Sequence, residues 1–394
     1  MTARALDRLG AGGWDVVVAG ARAAGAASAL LLARAGLRVL VVDPSRPGSD
    51  TLSTHALMRS AVARLAAWGL LEEVRDAGTP PIRRTVFRYG EDEVVVPIEP
   101  RGPVDALYAP RRTLVDPLLE DAARRAGATV VHGAAVLDLL RDPAGGRVRG
   151  ARVGVDGRSV DVPARLVIGA DGLRSRVARL VGSEAIHRGR HATASVYGYW
   201  PNPGIDGYLW HYRTDSSVGF IPTGGGEVCV FASLPAGAFR VSGSAGLQRL
   251  HRTLLELGAP ELAPLLRPDA GVRLRAFPGM PGFLRRPIGP GWALVGDAGY
   301  FRDPLTAHGI SDALRDAELL AGAAVRALAE DDDGALEAYP QGRDGPAADF
   351  LDLTDRIASF EWTMEELPAL HLELSRQMRR RAGGSAPRAD RPAA

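Results

Sequence analysis

Lysine is absent from this 394-residue sequence, so all 48 basic residues are arginine. Mechanisms that depend on a lysine amine are therefore excluded. The single cysteine, Cys229, excludes an internal disulfide and a cysteine-rich metal centre. The eight histidines show no spacing typical of metal ligands, and we expect no metal.

Long apolar runs and a strong net charge are also missing. No stretch approaches the roughly 18 apolar residues that a membrane span needs, and the opening residues, MTARALDRLGAGG, lack the apolar centre of a signal peptide. A formal net charge of +2 gives no reason to expect a nucleic-acid partner. We expect a cytoplasmic protein; whether it forms oligomers is left open.

Two apolar runs flank a glycine-containing turn near the start of the chain. Residues 16–18 are typical of a strand buried on both faces of a parallel sheet. Residues 26–36 predict a packed helix that ends at Gly36. Residues 38–43 predict a second buried strand, and together these segments form one βαβ unit.

Some of the later segments predict further strands and helices of this α/β domain, and others predict a separate antiparallel sheet. The α/β elements are a helix over 113–127 with a strand after it, strands over 164–172 and 291–299, and a long helix over 310–330. Residues 85–98 and 195–233 alternate or carry aromatic side chains, which predicts an inserted antiparallel sheet. The fold class is therefore α/β and Rossmann-like, with an interleaved antiparallel-sheet domain and a C-terminal helical segment.

The turn after the first strand keeps part of a dinucleotide-binding fingerprint. In G-x-G-x-x-G, the first glycine makes the bend, the second admits the pyrophosphate and the third lets helix and strand pack closely. Gly20 and Gly25 match the first and third, whereas Arg22 replaces the second and could flank a phosphate. Asp43 suits a carboxylate that binds the adenosine ribose. An ordinary βα turn remains the alternative.

Two later segments resemble motifs of a flavoprotein family. GADGLRSRVAR (169–179) and GDAGYFRDPLTAHGISDALRDA (296–317) are similar to the distal motifs of the p-hydroxybenzoate hydroxylase-like FAD monooxygenases. The second motif in that family has G-D, a proline, G-x-G and an Asp-Ala pair, which are matched here by Gly296, Asp297, Pro304, Gly309, Asp316 and Ala317. Departures from the family are Ala307-His308 for Gly-Gln, Ser311 for Asn, and Ala178 where an arginine is usual.

The resemblance implies non-covalent FAD in a Rossmann-like domain of the GR2 type. Asp297 would bind the ribityl chain, and backbone amides from Ala307 to Gly309 would face the pyrimidine edge of the flavin. A helix N-terminus there would stabilise the negative charge of reduced flavin. Arg111, in an Arg-x-x-Leu segment, would contact FAD. The cofactor-binding residues implied in this way are Gly20, Ala21, Arg22, Ala24, Gly25, Asp43, Arg111, Asp171, Asp297, Pro304, Ala307, His308, Gly309 and Ile310.

We divide the chain on this basis into four parts. They are an FAD-binding domain of residues 14–84, 100–185 and 276–334, a substrate-binding sheet domain of residues 85–99 and 186–275, C-terminal helices over 335–381, and a disordered tail over 382–394.

The reaction that the resemblance implies is hydroxylation of an aromatic or polyketide-like molecule, in secondary metabolism, with O2 and a flavin C4a-hydroperoxide. No second glycine-rich βαβ turn is present, so NAD(P)H would reduce the flavin transiently. Aromatic residues of the inserted sheet would line the substrate pocket, with plain core packing as the alternative. The aromatic residues expected to contact the substrate are Tyr199, Tyr208, Trp210 and Phe220. His55 could act as a base on a substrate hydroxyl, or begin a helix beside Ser53 and Thr54.

Two other functions stay open on these motifs. A geranylgeranyl reductase-like enzyme would reduce a double bond with the same FAD motifs, and a flavoprotein such as a cyclase would use FAD structurally. Flavin-dependent halogenases share the fold, but they require a W-x-W-x-I-P motif and a lysine, and the sequence has neither.

Overall fold

The computed structural model describes residues 9–143, 146–241, 243–266 and 271–383. Its strands are β1 (Trp14–Ala19), β2 (Val39–Asp43), β3 (Arg84–Tyr89), β4 (Asp92–Pro97), β5 (Thr129–His132), β6 (Ala134–Arg141), β7 (Val148–Val155), β8 (Arg158–Gly169), β9 (Ala185–Arg188), β10 (Thr193–Pro201), β11 (Tyr208–Arg213), β12 (Ser216–Thr223), β13 (Glu227–Pro235), β14 (Arg275–Phe277), β15 (Phe283–Arg285), β16 (Ile288–Gly289), β17 (Trp292–Leu294) and β18 (Tyr300–Phe301). Its α-helices are α1 (Ala23–Arg34), α2 (Arg59–Ala67), α3 (Leu71–Asp76), α4 (Arg112–Arg125), α5 (Arg176–Leu180), α6 (Gly243–Gly258), α7 (Gly309–Glu330), α8 (Ala338–Ala358) and α9 (Leu367–Gly383).

The first sheet holds the predicted βαβ unit. Its strand order is β16-β17-β8-β1-β2-β5, with β7 and β6 paired beyond β8. β1 runs parallel to both neighbours, and Val17 lies opposite Leu40 and Val167. Helices α1, α4 and α7 cover one face, and the β6–β7 hairpin with α5 covers the other. The apolar runs lack alternation because both faces of these strands are buried.

The second sheet has seven strands in the order β14-β10-β13-β12-β11-β3-β4. Its pairs are antiparallel except that β3 and β11 run parallel, with Thr85 opposite Tyr208. α6, which the sequence analysis did not predict, covers one face through Leu254 and Leu255. The other face carries most of the aromatic side chains and is covered by the C-terminal helices, where Trp362 contacts Tyr212.

The remaining elements connect the two sheets. β9 pairs with β15, and β15 with β18, to form a third, small sheet. β9 therefore lies outside the seven-stranded sheet although three of its four residues fall in the segment 186–275, and β14 extends beyond that segment. α9 reaches into the predicted tail, and residues 384–394 lie outside the described residues. The predicted fold class is confirmed.

Within the described ranges, no helix combines the length and the apolar character needed to cross a bilayer.

Candidate active site

The turn between β1 and α1 is as tight as its two glycines suggested. Gly20 has φ +107°, and a β-carbon on it would collide with the carbonyl of Ala170. A β-carbon on Gly25 would collide with the carbonyl oxygen of Gly20 itself. Because neither residue has a side chain, α1 begins directly beneath the end of β1. Its N-terminal amides are thereby presented at the carboxyl edge of the sheet, where anions bind.

Asp43 closes the far side of this turn. Its carboxylate accepts hydrogen bonds from the amide of Ala21 at 2.8 Å and from the amide of Ser45 at 2.7 Å. His132 lies 3.0 Å from the Ser45 carbonyl oxygen through Nδ1, and its Nε2 is 2.8 Å from Glu120. The cleft beside these groups is lined by Ala21, Arg22, Asp43, Ser45, Arg46, Gly48, Ser49, Asp116, Pro117, Glu120 and His132. The Asp43 carboxylate is held in position by these amides, so it can accept a hydrogen bond from a sugar hydroxyl bound in the cleft.

Arg22 and Arg112 lie near the start of α1. The Arg22 side chain turns away to donate to the Thr51 hydroxyl, and it makes no cap for the helix. Arg112 forms a buried ion pair with Asp116, at 2.8 Å. Burial raises the pKa of the Asp116 carboxyl, against the opposing charge of Arg112. The guanidinium group of Arg112 therefore lies beside the helix N-terminus, which suits a pyrophosphate.

Asp297 follows Gly296, which packs against the start of the same helix. Gly296 packs so closely on α1 that a β-carbon on it would lie 2.8 Å from Cβ of Ala24. The half-buried Asp297 carboxylate has no hydrogen bond from any residue in the described part of the chain. Burial raises the pKa of Asp297 to about 6, and the charge of Arg112 opposes this shift. An acceptor left without a donor in such a place fits a ligand hydroxyl.

The segment from Pro304 to Gly309 forms the predicted second helix N-terminus. Asp303 fixes it by accepting from the amides of Thr193 at 2.6 Å and Leu305 at 3.0 Å. Ala307 has φ +54°, and α7 begins at the exposed Gly309. The His308 ring contacts Met378 and Phe350, so its side chain is directed at the C-terminal helices. The His308 side chain is therefore not directed at the proposed cofactor, whereas the backbone at Gly309 is exposed to a ligand.

The side chains of two residues expected at the cofactor are engaged with other parts of the protein. Arg111 stacks on the Tyr199 ring, with Cζ 3.5 Å from its centroid, and pairs with Glu227 at 2.7 Å. Asp171 accepts from the amides of Arg176 at 2.6 Å and Val177 at 3.1 Å, which caps α5. The arginine that faces the α1 turn is Arg112, which the sequence analysis passed over. The sequence does show that Arg111 has an arginine next to it, which is a second candidate for the cofactor ligand.

His55 lies between the first sheet and the aromatic face of the second. It is 1% exposed, and its Nε2 contacts the Tyr199 hydroxyl. Burial, followed by the charges of Arg111, Arg112 and Arg275, holds the pKa of His55 well below its ordinary value. The ring is therefore neutral near pH 7.

Three of the four predicted substrate residues share one face of the second sheet. Tyr199, Tyr208 and Trp210 lie on the side covered by the C-terminal helices. Phe220 does not: it points to the opposite face and packs under α6, so its assignment to the same pocket is corrected. Neighbouring residues of a strand point to opposite faces, and both faces of β12 are buried.

Among the described residues, no three His, Cys, Asp or Glu side chains lie close enough together to hold a metal ion.

The chain is similar to known proteins over most of its length. Residues 13–233 match the family model described as "FAD binding domain", and the chain belongs to that family. It is 32% identical to menaquinone reductase of Mycolicibacterium smegmatis, over 78% of this chain and 75% of the relative. It is 30% identical to digeranylgeranylglycerophospholipid reductase of Methanothrix thermoacetophila, over 82% and 80%.

Solved structures share the fold. PqsL of Pseudomonas aeruginosa, in complex with 2-aminobenzoylacetate, aligns with a TM-score of 0.76 at 20% identity over 91% of this chain and 99% of PqsL. The protein is an FAD-dependent oxidoreductase with the fold of flavin-dependent monooxygenases. The groups described above fit the cofactor, since they offer two helix N-termini, the Arg112 guanidinium group and a carboxylate that has no hydrogen-bond donor among the described residues.

Proposed function

We propose that the enzyme uses FAD to reduce a carbon–carbon double bond in an apolar, polyprenyl-type substrate. The observation that carries the proposal is the similarity to two reductases, at 30–32% identity across about four fifths of the chain. The motifs of the FAD site alone do not separate reduction from hydroxylation, because both chemistries use the same cofactor.

The cofactor would extend from Asp43 to the start of α7. Asp43 would bind the adenosine ribose, and the N-terminus of α1 with Arg112 would bind the pyrophosphate. Asp297 would accept from the ribityl chain, and the backbone at Gly309 would meet the pyrimidine edge. When bound, FAD supplies two-electron transfer, and we propose NAD(P)H as the transient reductant.

The substrate would lie against the aromatic face of the second sheet. Tyr199 and Trp210 belong to a cluster that includes Leu305 and Ala307, next to the proposed pyrimidine edge. α8 closes this face through Phe350, and the connection between α8 and α9 closes it through Phe360 and Trp362. An enclosure of aromatic and aliphatic side chains favours an apolar molecule.

Hydroxylation of an aromatic or polyketide-like substrate is the second candidate. The enclosed aromatic face favours it, because oxygen transfer from a flavin needs a site from which water is excluded. His55 would then act on a substrate hydroxyl. Its lowered pKa leaves the ring neutral and therefore able to accept a proton, although as a weak base.

Product analysis with isotopically labelled O2 distinguishes the two reactions. The purified holoenzyme is incubated with NADH or NADPH, first with a prenylated naphthoquinone and geranylgeraniol, and then with a panel of phenols. Reduction predicts prenyl products that gain two hydrogens and no label. A labelled hydroxyl group in any product supports hydroxylation instead, and nicotinamide oxidation that yields only hydrogen peroxide supports neither.

A further inference from the structure

The outer edge of the second sheet is apolar and exposed. β4 is the last strand in the order of that sheet, and among the described residues no strand pairs with its other side. Its three consecutive valines, Val94 to Val96, are 45%, 51% and 39% exposed. Natural proteins usually protect such an edge with charges, a bulge or a covering element, because an open edge can pair with another strand. The pairing of β4 with β3 has no bulge, and the three valines carry no charge.

The backbone of β4 presents a regular set of hydrogen-bonding groups at this edge. The Ile98 amide donates to the carbonyl oxygen of Arg83 at 2.8 Å, so the backbone of Ile98 faces the β3 side. Because this direction alternates along an antiparallel strand, the backbone groups of Glu93, Val95 and Pro97 face outward. Pro97 has no amide hydrogen and can only accept. The edge therefore offers two donors and three acceptors.

A second copy of the chain matches this edge in one antiparallel register. When Val95 of one copy lies opposite Val95 of the other, each Val95 amide donates to the other's carbonyl oxygen. Each Glu93 amide then donates to the Pro97 carbonyl oxygen of the second copy. Both outward donors are satisfied, and the proline lies where no donor is needed. The same register places Val94 opposite Val96 of the second copy, so each exposed valine contacts a valine.

Other registers fit less well. A shift of two residues in one direction sets Glu93 against Val95 and Asp92 against Val96, which buries acidic side chains beside apolar ones. The opposite shift leaves Val95 as the one donor within the strand that meets an acceptor within the strand. Parallel pairing in register would place Asp92 and Glu93 beside their own copies, and like charges directly opposite each other are destabilising.

Charged residues at the ends of the strand also favour the antiparallel arrangement. Directly opposite residues of neighbouring strands share a face, so Asp92 would lie in one row with Ile98 and then Arg83 of the second copy. The Arg83 side chain is 63% exposed and lies 3.7 Å from Asp105, in an ion pair that a second carboxylate can join. The acidic end of one copy therefore approaches an arginine of the other.

We propose that β4 is a dimerisation strand, which pairs with β4 of a second copy of this chain about a twofold axis at Val95. The second sheet would then continue through both copies. Glu91 would face Glu99 of the second copy, but both lie outside the paired residues and in solvent, where like charges repel weakly. One six-residue strand from each copy makes a small interface. We therefore expect a dissociation constant of roughly 1–100 μM.

The position of Val95 on the axis allows a test by charge reversal. Sedimentation equilibrium of the FAD-loaded full chain, from about 1 to 200 μM, should show monomer and dimer. Val95→Lys and Val95→Asp should each weaken the dimer at least about tenfold, since each places like charges opposite each other. A mixture of the two variants should form a heterodimer at least about tenfold more readily than either alone. Val95 is half exposed in the monomer, so both variants should keep the thermal midpoint and FAD content of the wild type.

Leu257→Lys is the matched control for the loss of an exposed apolar side chain. Leu257 lies on α6 and is 49% exposed, close to the value for Val95. This variant should dimerise like the wild type.

Cysteine substitution tests the register. Across a hydrogen-bonded antiparallel pair the Cα atoms lie about 5.5 Å apart, which a disulfide can bridge. Val95→Cys should therefore be cross-linked by mild oxidation. In Val94→Cys the two cysteines would be diagonal neighbours, about 7–8 Å apart, and should react at least about tenfold more slowly. The native Cys229 is buried and should not contribute.

Several results would overturn the proposal. The wild type staying monomeric up to about 200 μM would do so, as would a mixture of Val95→Lys and Val95→Asp that fails to associate. Equal dissociation of the dimer by Leu257→Lys, or equal cross-linking of the two cysteine variants, would also contradict it. If the wild type is monomeric and floats with vesicles of phosphatidylglycerol and phosphatidylcholine, and Val95→Lys does not, the valines contact lipid and the dimer is rejected.

Discussion

Gly25 lies so close to the carbonyl oxygen of Gly20 that no side chain fits between α1 and the end of β1. A β-carbon there forces the helix away from the strand, which disrupts the core and moves the N-terminal amides from the proposed pyrophosphate site. We expect Gly25→Ala to lower the free energy of unfolding by at least about 2 kcal/mol and to release FAD. Denaturation curves and the flavin content of the purified variant measure this.

Gly322→Ala is the matched control for that substitution. Gly322 lies within α7, is exposed, and has open space where its β-carbon would stand. Alanine should therefore stabilise the helix by about 0.5–1 kcal/mol and leave FAD bound. Equal destabilisation by both variants would contradict the account of the α1 turn.

Asp297 and Arg22 should differ in their importance for FAD. The Asp297 carboxylate has no donor from the described residues and would take one from the ribityl chain, whereas Arg22 is already engaged with Thr51. A charge-assisted hydrogen bond contributes roughly 1.5–3 kcal/mol. Asp297→Ala should therefore weaken FAD binding at least about tenfold, and Arg22→Ala much less. Flavin dissociation constants decide this, and equal losses would make Arg22 a required phosphate ligand.

Adjacent arginines provide another internal comparison. Arg112 lies with Asp116 at the start of α1, while Arg111 packs on Tyr199 in the second sheet. Arg112→Gln should weaken FAD binding by about tenfold or more, because it removes a guanidinium group from the proposed pyrophosphate site. Arg111→Gln should affect substrate binding instead. The reverse pattern of FAD affinities would restore Arg111 as the cofactor ligand.

Asp303 should make stability depend on pH. Burial raises the pKa of its carboxyl to about 6, so the folded protein holds this proton more tightly than the unfolded chain. The stabilisation is present in acid and is lost as pH rises through about 6. From about pH 4 to 6 the free energy of unfolding should fall by up to about 3 kcal/mol on account of Asp303. Asp303→Asn should remove that part of the slope.

Asp349→Asn, at an exposed position of α8, controls for the loss of one carboxylate. A slope unchanged in Asp303→Asn, or reduced to the same extent in the control, would contradict the explanation from burial.

The sequence predicted those parts of the fold whose cause is local. The βαβ unit is marked by apolar runs and by the spacing of Gly20, Gly25 and Asp43, and the structure brings these three residues together. α6 was missed although Leu250 and Leu254 repeat at helical spacing, because the surrounding segment was assigned to a sheet.

Other features depend on tertiary structure and could not be predicted. Phe220 and its neighbour Ile221 are both buried although they point to opposite faces of the sheet. The pattern of apolar residues along β12 therefore does not show which face the C-terminal helices cover. Arg111 precedes α4 and Arg112 begins it, so the two side chains diverge. The contact of His55 with Tyr199 joins residues 144 positions apart.

Double-bond reduction is tested most directly with the reduced enzyme in the absence of oxygen. The holoenzyme is photoreduced under anaerobic conditions, mixed with a prenylated naphthoquinone, and quenched after a single turnover. If the enzyme is a reductase, the flavin is reoxidised and the prenyl chain gains two hydrogens, seen by mass spectrometry of the product. If the prenyl chain is unchanged, and a product forms only when O2 is admitted and carries its oxygen, the central claim is contradicted and the enzyme is a hydroxylase.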